Sequence, residues 1–401
     1  MTSETLPLER FPQPLERAVG WVRENLFSTV WNGVLTAVVG IGAVWLVASL
    51  VRWALFSADW AVVLVNSKLY MVGRYPGSEV WRVWVAVLVV AALGGLSWGR
   101  AAGRLRARAL TRDWARWSLV IGVVFAAVLY AAAWDTRAAI LATAPTVLIG
   151  RQVGSRFTGR RAGRALLGLW LMSYIFILVL LGGTGAVGPE LWGGVLLTLL
   201  LTINGIALAF PLGVLLALGR ASSFPAFRWL SVLYIELIRG VPLVTILFSA
   251  WLLFPLFVPT DVQVPLIIRA QAGIIAFSAA YVAENVRGGL QAIPTGQYDA
   301  ARALGLSPLR VTGLIVLPQA LRAVIPALVG QFISLFKDTS LVFVLGLLEL
   351  LTVAQAVTSQ AAFRGDQRES LLFAALLYWI VAFSMSRWSQ RLEQRLGVGE
   401  R

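Results

Sequence analysis

Lys337-Asp338-Thr339-Ser340 sets a cation, an anion and two hydroxyls in a row inside an apolar stretch running from Val324 to Leu351. Charges at membrane depth cost several kcal/mol unless they pair or face water. The four residues therefore read either as one wall of a path for a polar solute, with hydroxyls able to bond an ammonium or a carboxylate, or as an ion pair stiffening a break between helices. Glu236 and Arg239 stand three apart, close enough on one helix face to pair with each other, and Pro242 is placed to kink that helix. Glu284 and Arg287 repeat the spacing near the end of another apolar run, where long side chains reach water as interfacial anchors. None of this amounts to a catalytic set. The chain has no histidine and no cysteine, which removes the imidazole base, the thiol nucleophile and the common zinc and haem ligands. It also has no Gly-x-x-x-x-Gly-Lys-Ser/Thr loop to cradle nucleotide phosphates. No catalytic, cofactor-binding or metal-ligating residue is expected, and the chain does not read as an enzyme.

The solvent dictates the elements that must position these residues. Of 401 residues, 59% are apolar and 13% charged, against about 45–50% and about 25% in ordinary soluble domains. Mean hydropathy is +0.80. Surplus apolar surface on that scale requires lipid. A net charge of +15 would suggest nucleic acid in a soluble chain. Here the arginines gather in short tracts between apolar runs, as they do in the cytoplasmic loops of a multispanning protein.

A crossing helix needs roughly 20 mostly apolar residues. Candidates are Val30–Val51, Trp81–Trp98, Trp117–Trp134, Ala165–Leu181, Gly194–Leu218, Leu230–Val258, Pro265–Ala283, the stretch from Val324, and Leu371–Met385. Ala138–Gly150 is apolar but short, either a crossing or re-entrant, so the total is nine or ten. The tracts Arg100–Arg116 and Arg151–Arg164 should both be cytoplasmic, which requires Ala138–Gly150 to complete a crossing or nearly so. Further on, Gly182–Glu190 faces out, whereas Arg220–Arg228, Arg287–Arg310 and the tail from Arg387 face in. In the N-terminal tail, Leu15, Val19, Trp21, Val22 and Leu26 fit one side of a helix lying on the membrane, or simply a solvated segment.

The segment from Ile293 to Pro318 links two spans on the cytoplasmic side. Gln297–Leu304 reads as a short helix of good formers, with Asp299 in its first turn, where the helix dipole favours a carboxylate. Gly305 is placed to end it in a left-handed conformation, and Ser307-Pro308 read as the cap and first residue of a second helix. Two short helices joined by a sharp turn make a compact protruding knob.

In its full spacing, Asp299-Ala300-Ala301 followed by Gly305 and Ile315-x-Leu317-Pro318 resembles the EAA loop of ABC importer permeases, with Asp in place of the usual Glu. Around it, Glu236-Leu-Ile-Arg-Gly-Val-Pro-Leu-Val244, Glu284-Asn-Val-Arg-Gly-Gly289, Phe336-Lys-Asp-Thr-Ser-Leu341 and Gly193-Gly-Val-Leu-Leu-Thr-Leu-Leu200 resemble the polar amino acid branch of that family. The length and the extra N-terminal spans are similar to the larger permease subunit of general L-amino acid importers.

The resemblance implies an all-α, polytopic transmembrane bundle with a type I ABC importer permease core, in the inner membrane of a bacterium. It divides the chain into a cytoplasmic tail (1–29), a transmembrane extension of four or five spans (30–184), a permease domain of about five spans (190–392) with a coupling loop (287–318), and a C-terminal tail (393–401). Asp299, Ala300, Ala301, Gly305, Ile315, Leu317 and Pro318 would then engage a separate dimeric ATPase that carries the ATP and Mg. A second homologous permease subunit, an extracytoplasmic amino acid-binding protein and membrane lipid are the other implied partners, and nucleic acid is not. Lys337, Asp338, Thr339, Ser340, Glu284, Glu236 and Arg239 are the candidate lining of the path for broad-range polar L-amino acids. The alternative is an ion-coupled secondary transporter of small polar solutes, with Asp338 as its main carboxylate.

Overall fold

The computed structural model describes residues 14–102, 134–157, 159–182, 185, 187–259 and 261–396. Among them the chain is helical, with two isolated β-bridges and no strand. Among the described residues seven helices are long and apolar enough to cross a membrane, or eight if one bent pair counts as a single span. The expected span Trp117–Trp134, all but its last residue, and the arginines from Arg104 to Arg116 lie outside the described residues.

Packing divides the chain into two units, Met1–Asp59 and Trp60–Arg401. In the first, α1 (Pro14–Leu26) turns into α2 (Val30–Phe56). Thr29 caps α2 by accepting from Asn32 N at 3.2 Å, and Thr36 Oγ1 donates back to Leu26 O at 2.8 Å. No residue of α2 is buried within the chain, so its apolar surface is left to lipid.

The second unit begins with two short helices, α3 (Ala61–Val65) and α4 (Ser67–Val72), followed by α5 (Trp81–Ala102), α6 (Trp134–Arg156) and α7 (Arg160–Gly182). Helices α5 and α6 touch through backbone. A Cβ on Gly95 would lie 2.4 Å from Val147 O, and one on Gly154 would lie 2.2 Å from Leu96 O. Gly95 and Gly99 on one side, Gly150 and Gly154 on the other, are small-x-x-x-small pairs that permit such an approach. Their register rises together, Gly95 against Val147–Arg151 and Gly99 against Arg151–Ser155, so the helices run parallel. Arg100 and Arg151 therefore sit at the same end of the pair, Arg151 over the Trp98 ring at 4.7 Å.

The remaining helices are α8 (Gly194–Arg220), α9 (Pro225–Arg239), α10 (Leu243–Leu253), α11 (Leu266–Gln291), α12 (Thr295–Ala303), α13 (Leu317–Ala323), α14 (Ile325–Asp338), α15 (Leu350–Val357) and α16 (Gln367–Leu396). Leu197 and Leu201 of α8, Leu243 and Leu247 of α10, Ile267 and Ile274 of α11 and Leu335 of α14 share one buried cluster. A second joins Val62, Val63 and Tyr70 to Leu350, Val353 and Val357 of α15 and to Phe373 of α16. The segment from Trp60 to Val80, sequentially far from the coupling loop, thus packs inside the same unit as the last helices.

Two expected spans are corrected. Leu230–Val258 is not one straight helix but α9 and α10, bent by 110° at Gly240–Pro242. Pro242 lacks an N–H and its ring keeps Val241 out of the helical region, so the break is sharper than a kink. The stretch from Val324 to Leu351 is also broken. It runs as α14 and a 3-10 turn to Leu345, reverses at Gly346 (φ +77°) and restarts as α15.

The α5–α6 contact predicts a sharp difference between neighbours. Gly95→Ala should lower the thermal midpoint of the detergent-solubilised protein, at a cost of about 1–3 kcal/mol, because the atom in the way is backbone. Gly94→Ala, with nothing within 4 Å of its Cβ, should leave it unchanged. Equal midpoints in a differential scanning fluorimetry series would contradict this packing.

Candidate functional site

The knob forms where expected and is built from its own backbone. Helix α12 starts at Thr295 behind Pro294, two residues earlier than the sequence suggested, so Asp299 lies beyond the first turn and gains little from the dipole. The helix ends in a Schellman motif, Leu306 N donating to Ala301 O at 3.3 Å and Gly305 N to Arg302 O at 2.8 Å. Gly305 has φ +72° with no atom within 4 Å of a Cβ, so conformation rather than space requires glycine there. Ala301, buried at the motif's base, packs with Val311 and Val316, and Tyr298, Leu306 and Ile315 close the cluster.

The second half of the knob differs from expectation. Ser307 and Pro308 do stand at the cap and first positions, but the Ser307 side chain makes no capping bond. After one turn the chain widens into a π-helix, Val311–Val316, that leads into α13. Pro318, the second residue of α13, cannot donate and clashes with a normal i−4 carbonyl, which explains the wide turn just before it. Gln319 Nε2 bridges the halves, donating to Ile315 O at 2.8 Å and to Gln297 Oε1 of α12 at 3.1 Å. The sequence reading passed over Gln319.

Asp299 projects from this scaffold. It is 71% exposed, and among the described residues its one ion pair is with Arg302, 70% exposed, at 3.8 Å. Such a pair contributes about 0–0.5 kcal/mol, so stability does not account for the carboxylate. Leu304 and Leu309, on either side of the turn that ends the helix, are 80% and 87% exposed. Two leucines and a carboxylate on a rigid tip are a surface suited to another protein rather than to a solute.

Glu236, Arg239, Glu284 and Arg287 do converge, but with different pairing. Glu236 does not pair with Arg239. It accepts from Arg220 of α8 at 2.8 Å, while Arg239 reaches Glu284 of α11 at 3.5 Å. Arg287 donates to Glu284 Oε1 through Nε at 2.9 Å and through Nη2, and its Nη1 donates to Gln291. Glu284 Oε2 lies between Arg220 at 3.7 Å and Arg239 at 3.5 Å and hydrogen-bonds neither. Three guanidiniums and two carboxylates thus tie α8, α9 and α11 together at the end that carries the knob. Apolar packing of Ala217, Ile235, Ala283 and Leu328 lies directly beneath.

Lys337–Ser340 is a separate place. Leu328 packs level with Glu284's neighbours, and Lys337 lies nine residues further along α14, about 14 Å at 1.5 Å per residue. Lys337 is exposed, Asp338 and Ser340 are half-buried, and Thr339 is fully buried. The Thr339 hydroxyl donates to Phe336 O at 2.7 Å, so it is engaged within the chain.

One carboxylate escaped the sequence reading. Glu349 is fully buried and caps α15, accepting from Leu351 N and Thr352 N at 2.7 Å and from Thr352 Oγ1 and Tyr378 Oη at 2.9 Å. Leu350 N donates to Thr198 Oγ1 at 3.2 Å, and Gly194 N to Leu348 O at 2.7 Å. A lone Glu between two Leu-Leu pairs carried the same signal as Lys337-Asp338: a charge inside an apolar run.

Residues 209–398 match the family model described as "Binding-protein-dependent transport system inner membrane component". An inner membrane amino-acid ABC transporter permease protein of Escherichia coli (YhdY) is 38% identical over 403 residues, covering 96% of this chain and 94% of that protein. A glutamate/glutamine/aspartate/asparagine transport system permease protein of Rhodobacter capsulatus (BztC) is 35% identical over 430 residues, covering 96% and 95%. A probable glutamine ABC transporter permease protein of Bacillus subtilis (GlnP) is 39% identical over 207 residues, 51% of this chain and 93% of that one.

The two acidic sites separate by their environment. Glu284→Gln should lower the unfolding midpoint, costing about 1–3 kcal/mol, because it removes the anion that three arginines share. Asp299→Asn should change stability by less than about 0.5 kcal/mol. A midpoint series in which Asp299 matters more than Glu284 would reverse the assignment.

Proposed function

From its membership of the binding-protein-dependent transport system inner membrane components, the family to which this chain belongs, we infer that the loop 287–318, which carries the knob, is the coupling element of an amino-acid importer. The chain is the permease subunit of an ABC transporter in the inner membrane, not an enzyme. One observation carries the reading of the knob. Asp299, Leu304 and Leu309 form an exposed tip that contributes little to folding, on a base held by Gly305, Ala301 and Gln319. Ile315, Leu317 and Pro318 belong to that base, and Ala300 lies on the same helix as Asp299.

The partner that presses on the tip is an ATPase dimer, which holds ATP and Mg. A second permease subunit completes the path, and a binding protein outside delivers the solute. Relatives along the whole length are named for amino acids, including glutamate, glutamine, aspartate and asparagine. Broad-range polar L-amino acids are therefore the proposed cargo. Functionally, residues 1–29 are the tail, 30–184 an extension, and 190–392 the permease domain with its coupling loop 287–318. The match of a shorter permease to about half of the chain supports that division. Lys337 and Asp338, exposed and half-buried in the middle of the last broken span, remain the proposed contacts along the path, with Ser340 beside them.

The test is ATP hydrolysis and uptake of labelled amino acids by the full complex in liposomes, with its binding protein. Asp299→Arg and Leu304→Arg should leave assembly and the thermal midpoint intact yet reduce stimulated hydrolysis and uptake at least tenfold. Wild-type uptake that persists without the ATPase and follows an ion gradient would overturn the importer mechanism in favour of secondary transport.

A further inference from the structure

A cavity of about 820 Å³ opens at the end of the second unit opposite the knob, where α8 and α11 begin. Its charged and polar lining comes from three parts of the chain. Arg74 follows α4, Glu190 and Trp192 precede α8, and Gln263 and Arg269 flank the start of α11. Gly346, at the break after α14, closes one side. Prolines 255, 259 and 265 stiffen the remaining wall.

The lining is fixed without being neutralised. Arg74 is exposed between two anchors. Gly73 forms a backbone bridge to Trp192, and the buried Tyr75 donates from Oη to Leu181 O at 3.0 Å. Arg269 donates from Nε to Val264 O and from Nη1 to Trp251 O, each at 3.0 Å. Those bonds orient the guanidinium and leave three of its five N–H donors for a ligand. Neither arginine has a carboxylate partner, and Glu190 forms no ion pair, among the described residues.

We propose that this cavity is a solute-receiving site for α-amino acids, in which Arg74 and Arg269 hold carboxylate and Glu190 holds the ammonium. The volume falls in the range of about 300–1,000 Å³ typical of small-molecule sites, and guanidiniums bind carboxylates bidentately. Two cations against one anion leave a net positive lining, so acidic amino acids bind more tightly than neutral ones, and basic ones least. Arg74 and Glu190 lie outside the segment matched by the family model, which starts at residue 209. The site is thus assembled by Arg74 of the extension together with Glu190 and Arg269 of the permease domain. This assignment rests on the amino-acid importer reading.

The experiment uses the full permease–ATPase complex in nanodiscs, without binding protein or ATP, and measures equilibrium binding of radiolabelled L-glutamate, L-glutamine and L-lysine. Glutamate should bind best and lysine worst. Arg74→Gln, at an exposed side chain with no internal bond, should weaken glutamate binding at least tenfold, and Arg74→Lys should restore part of it. Glu190→Gln should weaken all three. In the coupled assay with binding protein, Arg74→Gln should raise KM for glutamate and leave kcat unchanged. If glutamate affinity and KM are unchanged in Arg74→Gln and Glu190→Gln while the wild type transports, the proposal fails and the importer reading survives. If coupled uptake falls while direct binding is unchanged, the arginine serves docking of the delivery protein and the proposal likewise fails. If the wild-type complex moves no amino acid at all, both fail together.

Discussion

Backbone groups released by a helix break inside a bilayer have no water to turn to, so each must find a partner within the protein. The break between α14 and α15 meets this demand group by group. The Leu348 carbonyl takes Gly194 N, Thr198 Oγ1 takes Leu350 N, and the Glu349 carboxylate takes Leu351 N and Thr352 N. The last free donor of that turn, Val353 N, goes to Glu349 O at 2.9 Å. Glu is an unusual cap, yet here its charge also faces the positive end of α15 and its second oxygen holds Tyr378 of α16. Its side chain thereby ties α15 to the final helix, while the backbone on either side of it, Leu348 O and Leu350 N, holds the start of α8. Without it the break would expose the donors at the start of α15.

The same junction explains a run of glycines that looks featureless in the sequence. Gly73 (φ +68°) would place a Cβ 2.4 Å from the Gly193 Cα, and Gly194 (φ +55°) one 2.0 Å from the Tyr70 carbonyl. Three backbones meet there: the end of α4, the start of α8 and the Leu348–Glu349 turn, bridged at Gly73–Trp192 and Gly194–Glu349. The segment Trp60–Val80 is therefore not an appendage. Packing draws its line after Asp59, whereas the family match begins at residue 209, within α8. Both are physical: one marks what folds together, the other what suffices in shorter chains.

Much of the site was legible because its signals are local. Gly305 could be read as a left-handed stop, and the run to Leu317-Pro318 as the far wall of a loop, since turn chemistry acts over a few residues. The start of α12 was misplaced by two residues because Thr295-Gly296 are poor helix formers that Pro294 nonetheless caps. Pairing was legible only within one helix. Glu284 and Arg287 meet as their spacing suggests, but Glu236 and Arg239 choose partners on α8 and α11, and no sequence period encodes which helices lie alongside. Arg74 and Arg269 share a cavity across almost two hundred residues of chain and were invisible for the same reason. Gly95-x-x-x-Gly99 and Gly150-x-x-x-Gly154 went unremarked in the sequence, and only the structure shows that they face each other.

Helix α11 links the cavity to the knob. It has 26 residues, about 39 Å at the usual rise, and half of its apolar window is buried, the largest share among the spans. Arg269 stands in its first turn at the cavity, Glu284 near its far end within the charge cluster, and Ala292–Pro294 lead directly from its last residue into the knob. A straight helix packed on α8, α9, α10 and α14 does not bend easily, because its neighbours fill the space into which it would move. What can change is the lateral register of its ends. There Glu284 Oε2 is held by two guanidiniums at ion-pair distance without a hydrogen bond to either, so exchanging one arginine for the other breaks no directional bond. The stiff part of the structure is thus apolar and continuous, and the part able to rearrange is ionic and sits next to the knob.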